Sequence, residues 1–189
     1  MFLVRCEARC EEAMAFPSRL RSAVRDAAAS VTIGEWHPPS HTFTVNVEGE
    51  ALRIPYRVYY DPSLLRRQIR DLQAAARLIL LCLGTRHYDG YLRQECLREL
   101  VKNEASWLTP YVLQLAGEYV VAITEDVANA IGEHNSPTLL VFASENSAYL
   151  ATLGRRITSY WSCYHRHAYP ERSSYPGAKV LAALNAVVE

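Results

Sequence analysis

The stretch from Gly84 to Gly132 constrains the fold most, and within it Pro110 to Ile131 carries the longest uninterrupted helical pattern in the chain. Apolar residues fall at Val112, Leu115, Ala116, Tyr119, Val120, Ile123, Val127 and Ile131, the spacing that lines one face of an α-helix. Gln114, Glu118, Glu125 and Asn129 fall on a polar stripe about 60° wide, leaving most of the circumference free to be buried. Thr109 as N-cap, Pro110 at the first helical position and Gly132 as the stop mark both ends. The pattern predicts one central helix over residues 110–131, enclosed on nearly all sides, with function left to the outer surface.

At 189 residues with 50% hydrophobic side chains, the chain can fill the core of one ordinary domain. Twenty basic side chains against twenty acidic ones leave no net field to gather nucleic acid or anionic lipid, although a local patch would not show in the total. Lys102 and Lys179 are the only lysines, and the wealth of arginine and alanine reads as the coding bias of a GC-rich bacterial genome. The five cysteines include Cys82 and Cys96 at apolar helix positions, where a free thiol behaves as a small hydrophobe. Met1 to Val4 is too short for a signal-peptide core before Arg5, and no apolar run reaches about 18 residues. A reducing cytoplasm is the expected compartment, with no membrane among the partners.

Along the chain, Ser18 opens an N-terminal helix with Leu20, Ala23, Val24 and Ala27 inward. Residues 42–60 switch to period two. Phe43, Val45 and Val47 form one run, and Leu52, Ile54, Tyr56, Val58 and Tyr60 the other, about a turn at Glu48, Gly49 and Glu50. This is a β-hairpin whose first strand can extend back through Val31 to Trp36, and Pro55 pushes the second strand to an edge. Two strands alone are marginal in water, so the hairpin needs helices, a third strand or a second copy of the chain against it. Asp61 and Pro62 start a helix to Leu83, Gly84 stops it, and five residues lead to a helix from Gly90 to Asn103. After Gly132, Pro137 opens a helix through Trp161 with Gly154 as its weak point, and residues 177–188 form a last helix that must dock. The expected fold is α+β, mostly α, a single domain over residues 1–189. The N-terminal helix and hairpin (18–60) pack on a helical part (61–189).

Asp89 shortly before Leu92 and Arg93, followed by Cys96, Leu97 and Leu100, resembles the second helix of a HEAT-type repeat, with Leu65 to Leu83 as its first helix. The resemblance covers about residues 62–103, and no second aspartate to apolar-arginine signature follows at the repeat period of about 40–47 residues. It implies one helical hairpin with a stacked-helix surface of the kind used to bind other proteins.

His87, Tyr88, Asp89, Tyr91 and Arg93 are the candidate partner-binding residues, set in a tight connection between helix ends, where side chains are rigid but exposed. A plainer reading makes Asp89 a helix cap and Tyr88 and Tyr91 lids over the core. Cys163, His165 and His167 alternate, and in an extended segment all three would face one way and could hold zinc, with Cys6 or Cys10 completing the site. Glu118 could be a buried functional carboxylate, but its place on the polar stripe favours a solvated or arginine-paired residue. No Gly-x-Ser-x-Gly elbow, phosphate-cradling glycine loop or His-Glu-x-x-His occurs. The sequence therefore points to a non-catalytic protein-binding module without a cofactor, such as an adaptor or a toxin-neutralising immunity protein. A small hydrolase or transferase using His87 or Cys163 to His167 is the competing class. Tyrosines between Tyr160 and Tyr175 could stack bases, but zero net charge ranks nucleic acid below a protein partner.

Overall fold

Glu48 and Gly49, both at positive φ (55° and 78°), set the register of the hairpin. Two successive left-handed residues make a turn whose twist matches that of the flanking strands. β1 (Thr42–Val47) and β2 (Glu50–Pro55) pair with Val47 opposite Glu50 and Phe43 opposite Ile54. Phe43, Val45, Val47, Leu52 and Ile54 are buried on one face, as the alternation requires. The second strand was expected to reach Tyr60 and instead ends at Pro55: the Tyr56 N–H donates to His41 O (2.9 Å) and the chain turns out of the ladder.

The computed structural model describes residues 12–31, 41–133 and 137–188. They fall into two compact units, Met1–Leu100 and Val101–Glu189. In the first, α1 (Arg21–Val31) follows a 3-10 turn at Ser18–Leu20 and buries Val24, Ala27, Ala28 and Val31. Val31 thus closes a helix rather than opening a strand, and residues 32–36 lie outside those described. Ser18 does not cap α1 as expected; its N–H and hydroxyl both donate to the Glu50 carboxylate (2.9–3.1 Å). Asp61 caps α2 (Pro62–Asp71) by accepting from Leu64 N at 2.7 Å.

The helix expected over 62–83 is two helices, since Leu72 and Gln73 are extended, Ala74 has φ 49°, and α3 begins afresh (Ala74–Gly84). The break lets α2 pack against α3, while α3 also packs on α1 and on α4 (Gly90–Leu100). Ile79 to Gly84 are all buried.

In the second unit the predicted rod over residues 110–131 is also two helices, α5 (Thr109–Ala116) and α6 (Val121–Glu133). Gly117 is the reason. Its Cβ, were there one, would lie 2.8 Å from Leu153 Cδ1 and 3.3 Å from Arg156 Cδ, so the two helices part where those side chains press against the backbone. Only α5 has the enclosed character expected of the whole rod, with Pro110, Tyr111, Leu113, Gln114, Leu115 and Ala116 buried. In α6 burial narrows to Ile123, Thr124 and Val127. A function inferred from one enclosed rod therefore loses that support and has to rest on a site.

α7 (Pro137–Glu145) and α8 (Ser147–Tyr160) are separated at Asn146, whose Nδ2 donates to Phe142 O at 2.9 Å. Gly154, the expected weak point, lies inside α8 beside Leu181. α8 runs on as a π turn (Trp161–His165), and α9 (Pro176–Val188) docks on α6 and α7 with Val180 and Leu184 buried. The α+β, mostly α class holds among the described residues, and none of their helices is long and apolar enough to cross a membrane.

Candidate functional site

Residues 85–89 join α3 to α4 and are tied down at both ends. Thr85, Arg86 and His87 continue to bond back onto the last carbonyls of α3, and the Thr85 hydroxyl donates to Cys82 O (2.6 Å). From the other side, Val58 N donates to Arg86 O (2.9 Å) and Tyr88 N to Val58 O (3.2 Å), a parallel bridge between the connection and the strand that leaves the hairpin. The hairpin sheet itself keeps two strands, and this isolated bridge ties the connection to the segment that follows it.

His87 and Arg93 were expected on the surface, and both are buried, at 0% and 3% exposure. Burying them costs free energy unless every polar atom finds a partner. His87 Nε2 donates to Tyr60 O (2.9 Å), and its Nδ1 accepts from Asp89 N (3.0 Å). That pattern requires the neutral ring, and burial first of all pushes its pKa below the usual 6.5, against a smaller upward pull from the bond to Tyr60 O. Arg93 Nη1 donates to His87 O and Tyr88 O, both at 2.9 Å. One guanidinium thus holds two successive carbonyls of the connection. Asp89 caps α4, its Oδ1 accepting from Tyr91 N (2.9 Å) and Leu92 N (3.5 Å).

What this frame displays is tyrosine. Tyr88 is 52% exposed and Tyr91, in the first turn of α4, 80% exposed. Tyr59, 46% exposed, stacks on Tyr88 with ring centroids 5.8 Å apart and planes at 19°. Of the five predicted residues, two form the visible surface and three hold it. Tyr59 was missed, although the period-two pattern that turned Val58 inward necessarily turned Tyr59 outward. Arg66 bonds Glu95 at 2.7 Å and reaches Asp89 at 3.7 Å, giving the surface a charged rim.

The zinc geometry required an extended segment, and Trp161–His165 is instead a π turn that runs into a further turn at 166–168. His165 Nε2 donates to Tyr119 O (2.8 Å) and its ring stacks on Tyr175, which takes it out of the alternation with Cys163 and His167. Among the described residues no three His, Cys, Asp or Glu side chains cluster as metal ligands would. Cys6 and Cys10 lie outside those residues. Glu118 is buried at 1% exposure rather than solvated. Burial raises the Cys82 thiol well above its usual range and Cys96 to about 12, so both stay protonated and unreactive.

Fold and site define an α-rich α+β chain that presents a rigid, tyrosine-faced connection. Comparison with known proteins finds no matching family model, no similar curated protein and no similar solved structure.

Proposed function

We propose that this protein is a non-catalytic protein-binding module and that Tyr59, Tyr88 and Tyr91 are its contact surface. The observation that supports the reading is the pairing of large exposed rings with a backbone fixed from beneath by Arg93, His87 and Asp89. Tyrosine brings much contact area for two side-chain torsions, and a preformed loop has little conformational entropy left to lose on binding. The Arg66, Asp89 and Glu95 group supplies the polar rim that commonly surrounds such rings. We read the chain as an adaptor or a toxin-neutralising immunity protein of a bacterial cytoplasm. The enzymatic reading through His87 is disfavoured by the ring itself, since its one lone pair already accepts from Asp89 N and is not free to take a substrate proton.

Tagged protein purified from its native host should retain a partner. The Tyr88→Ser/Tyr91→Ser double variant should lose it by about tenfold or more, while Tyr119→Ser, at another exposed tyrosine, should not. Equal recovery with the double variant, its fold checked by circular dichroism, would contradict the assignment.

A further inference from the structure

Charge in the second unit is segregated along the sequence. Residues 103–154 hold six acidic side chains and no lysine or arginine, whereas residues 155–179 hold Arg155, Arg156, Arg166, Arg172 and Lys179 against Glu171 alone. The zero net charge of the whole chain conceals this completely.

Arg155 and Arg166, eleven residues apart, fall on one side of α8 and its π extension by helical spacing. A π turn places residues five apart above one another, and the Arg166 guanidinium sits 5.5 Å over the Trp161 ring, whose Nε1 donates to Tyr169 O (2.9 Å). Arg172 reaches back to the same helix, its Nη1 3.4 Å from Thr158 Oγ1. Arg155 lies one turn before Thr158 and bonds only Thr152 Oγ1 (2.8 Å). All three are exposed, and among the described residues none of them has a carboxylate partner, while Arg19, Arg66 and Arg77 of the first unit each hold one. Complementing the helix dipole accounts for Arg166 near the C-terminal end of α8, but not for Arg155, well inside the helix, or for Arg172, delivered from another segment.

We propose that this stripe binds single-stranded nucleic acid. The three guanidinium groups, with the Thr158 and Ser162 hydroxyls between them, take the phosphodiester backbone, and the Arg166 and Trp161 stack takes a base on its outer side. Tyr164, 67% exposed on the same π turn, offers a second ring. An acidic peptide would satisfy the charges but leave the planar groups unused, and the stripe spans only about 16 Å from Arg155 to Arg166, a length suited to one strand. The site is separate from the tyrosine surface of the first unit and does not depend on it.

Fluorescence anisotropy of the full chain with a labelled dT12 oligonucleotide at 50 mM NaCl tests the proposal. Micromolar binding is expected, weakening with salt at a log-log slope of about −2 for three phosphates. The Arg155→Gln/Arg166→Gln/Arg172→Gln variant should bind at least about tenfold more weakly, and Arg166→Lys should keep the salt slope while losing affinity. Arg67→Gln/Arg70→Gln, which removes charge from α2, should leave binding unchanged. Four results would overturn the proposal: no binding at 50 mM NaCl, equal loss in the α2 control, displacement of dT12 by an equal length of polyglutamate as readily as by unlabelled dT12, or low-salt self-association that accounts for the arginine dependence.

Discussion

At His87 the two ring nitrogens are used in opposite senses, one donating to Tyr60 O and the other accepting from Asp89 N. A second proton would convert the acceptor into a donor facing another donor. The folded state therefore binds this proton less readily than the unfolded chain, in line with the lowered pKa. The sign follows: between the folded value and the ordinary 6.5 the unfolded state holds more protons, so stability is complete above about pH 6.5 and is lost as pH falls through the folded value. Urea midpoints measured from pH 8 to pH 5 should fall across that window. His87→Gln, which can keep the bond to Tyr60 O without a titrating ring, should be less stable at pH 8 and show a flatter slope; an unchanged slope would remove His87 from the account. Arg93 illustrates why such residues were misplaced from sequence alone. A histidine and an arginine beside a turn read as surface, and only the carbonyls they satisfy, those of residues 60, 87 and 88, show why they are inside.

At the scale of elements, α3 and α4 meet closely at Gly84. A Cβ on Gly84 would stand 2.3 Å from Cys96 Sγ and 3.2 Å from Cys96 Cβ. Gly84→Ala should therefore cost about 1–3 kcal/mol by overpacking, and Cys96→Ala, which removes the sulfur, should recover part of that in the double variant. Denaturant midpoints for the two single variants and the double variant would decide it, and strictly additive losses would show that the contact does not matter. Helix ends signalled by local chemistry were readable in the chain: Asp61 with Pro62 starts α2, Gly84 ends α3, and Asp89 caps α4. Breaks set by neighbours were not. Hydrophobic periodicity runs straight through Leu72 and Gln73 with no turn residue to mark them. It also hides Gly117, whose role shows only once Leu153 and Arg156 are in place. For the site, the connection with Tyr88, and Tyr91 at the start of α4, were visible in the sequence, while Tyr59, thirty residues before the α4 cap and brought in by the Val58 bridge, was not read as part of it.

Across the whole molecule, each unit carries one surface whose chemistry its own packing does not use: stacked exposed tyrosines on the first and, on the second, the exposed Arg155, Arg166 and Arg172, which hold no carboxylate among the described residues. As a contact surface, the first has to be rigid before any partner arrives, since a loose loop would give up in ordering much of what its rings gain. Hydrogen exchange followed residue by residue over the full chain tests this directly. The amides of Val58, Tyr88 and Asp89, bonded to Arg86 O, Val58 O and His87 Nδ1, should exchange slowly, within reach of those in α3. Arg93→Met, which takes the donor from one buried and one part-buried carbonyl at a cost of about 1–3 kcal/mol, should release them. Exchange of these three amides at unprotected rates in the wild-type protein would contradict the account.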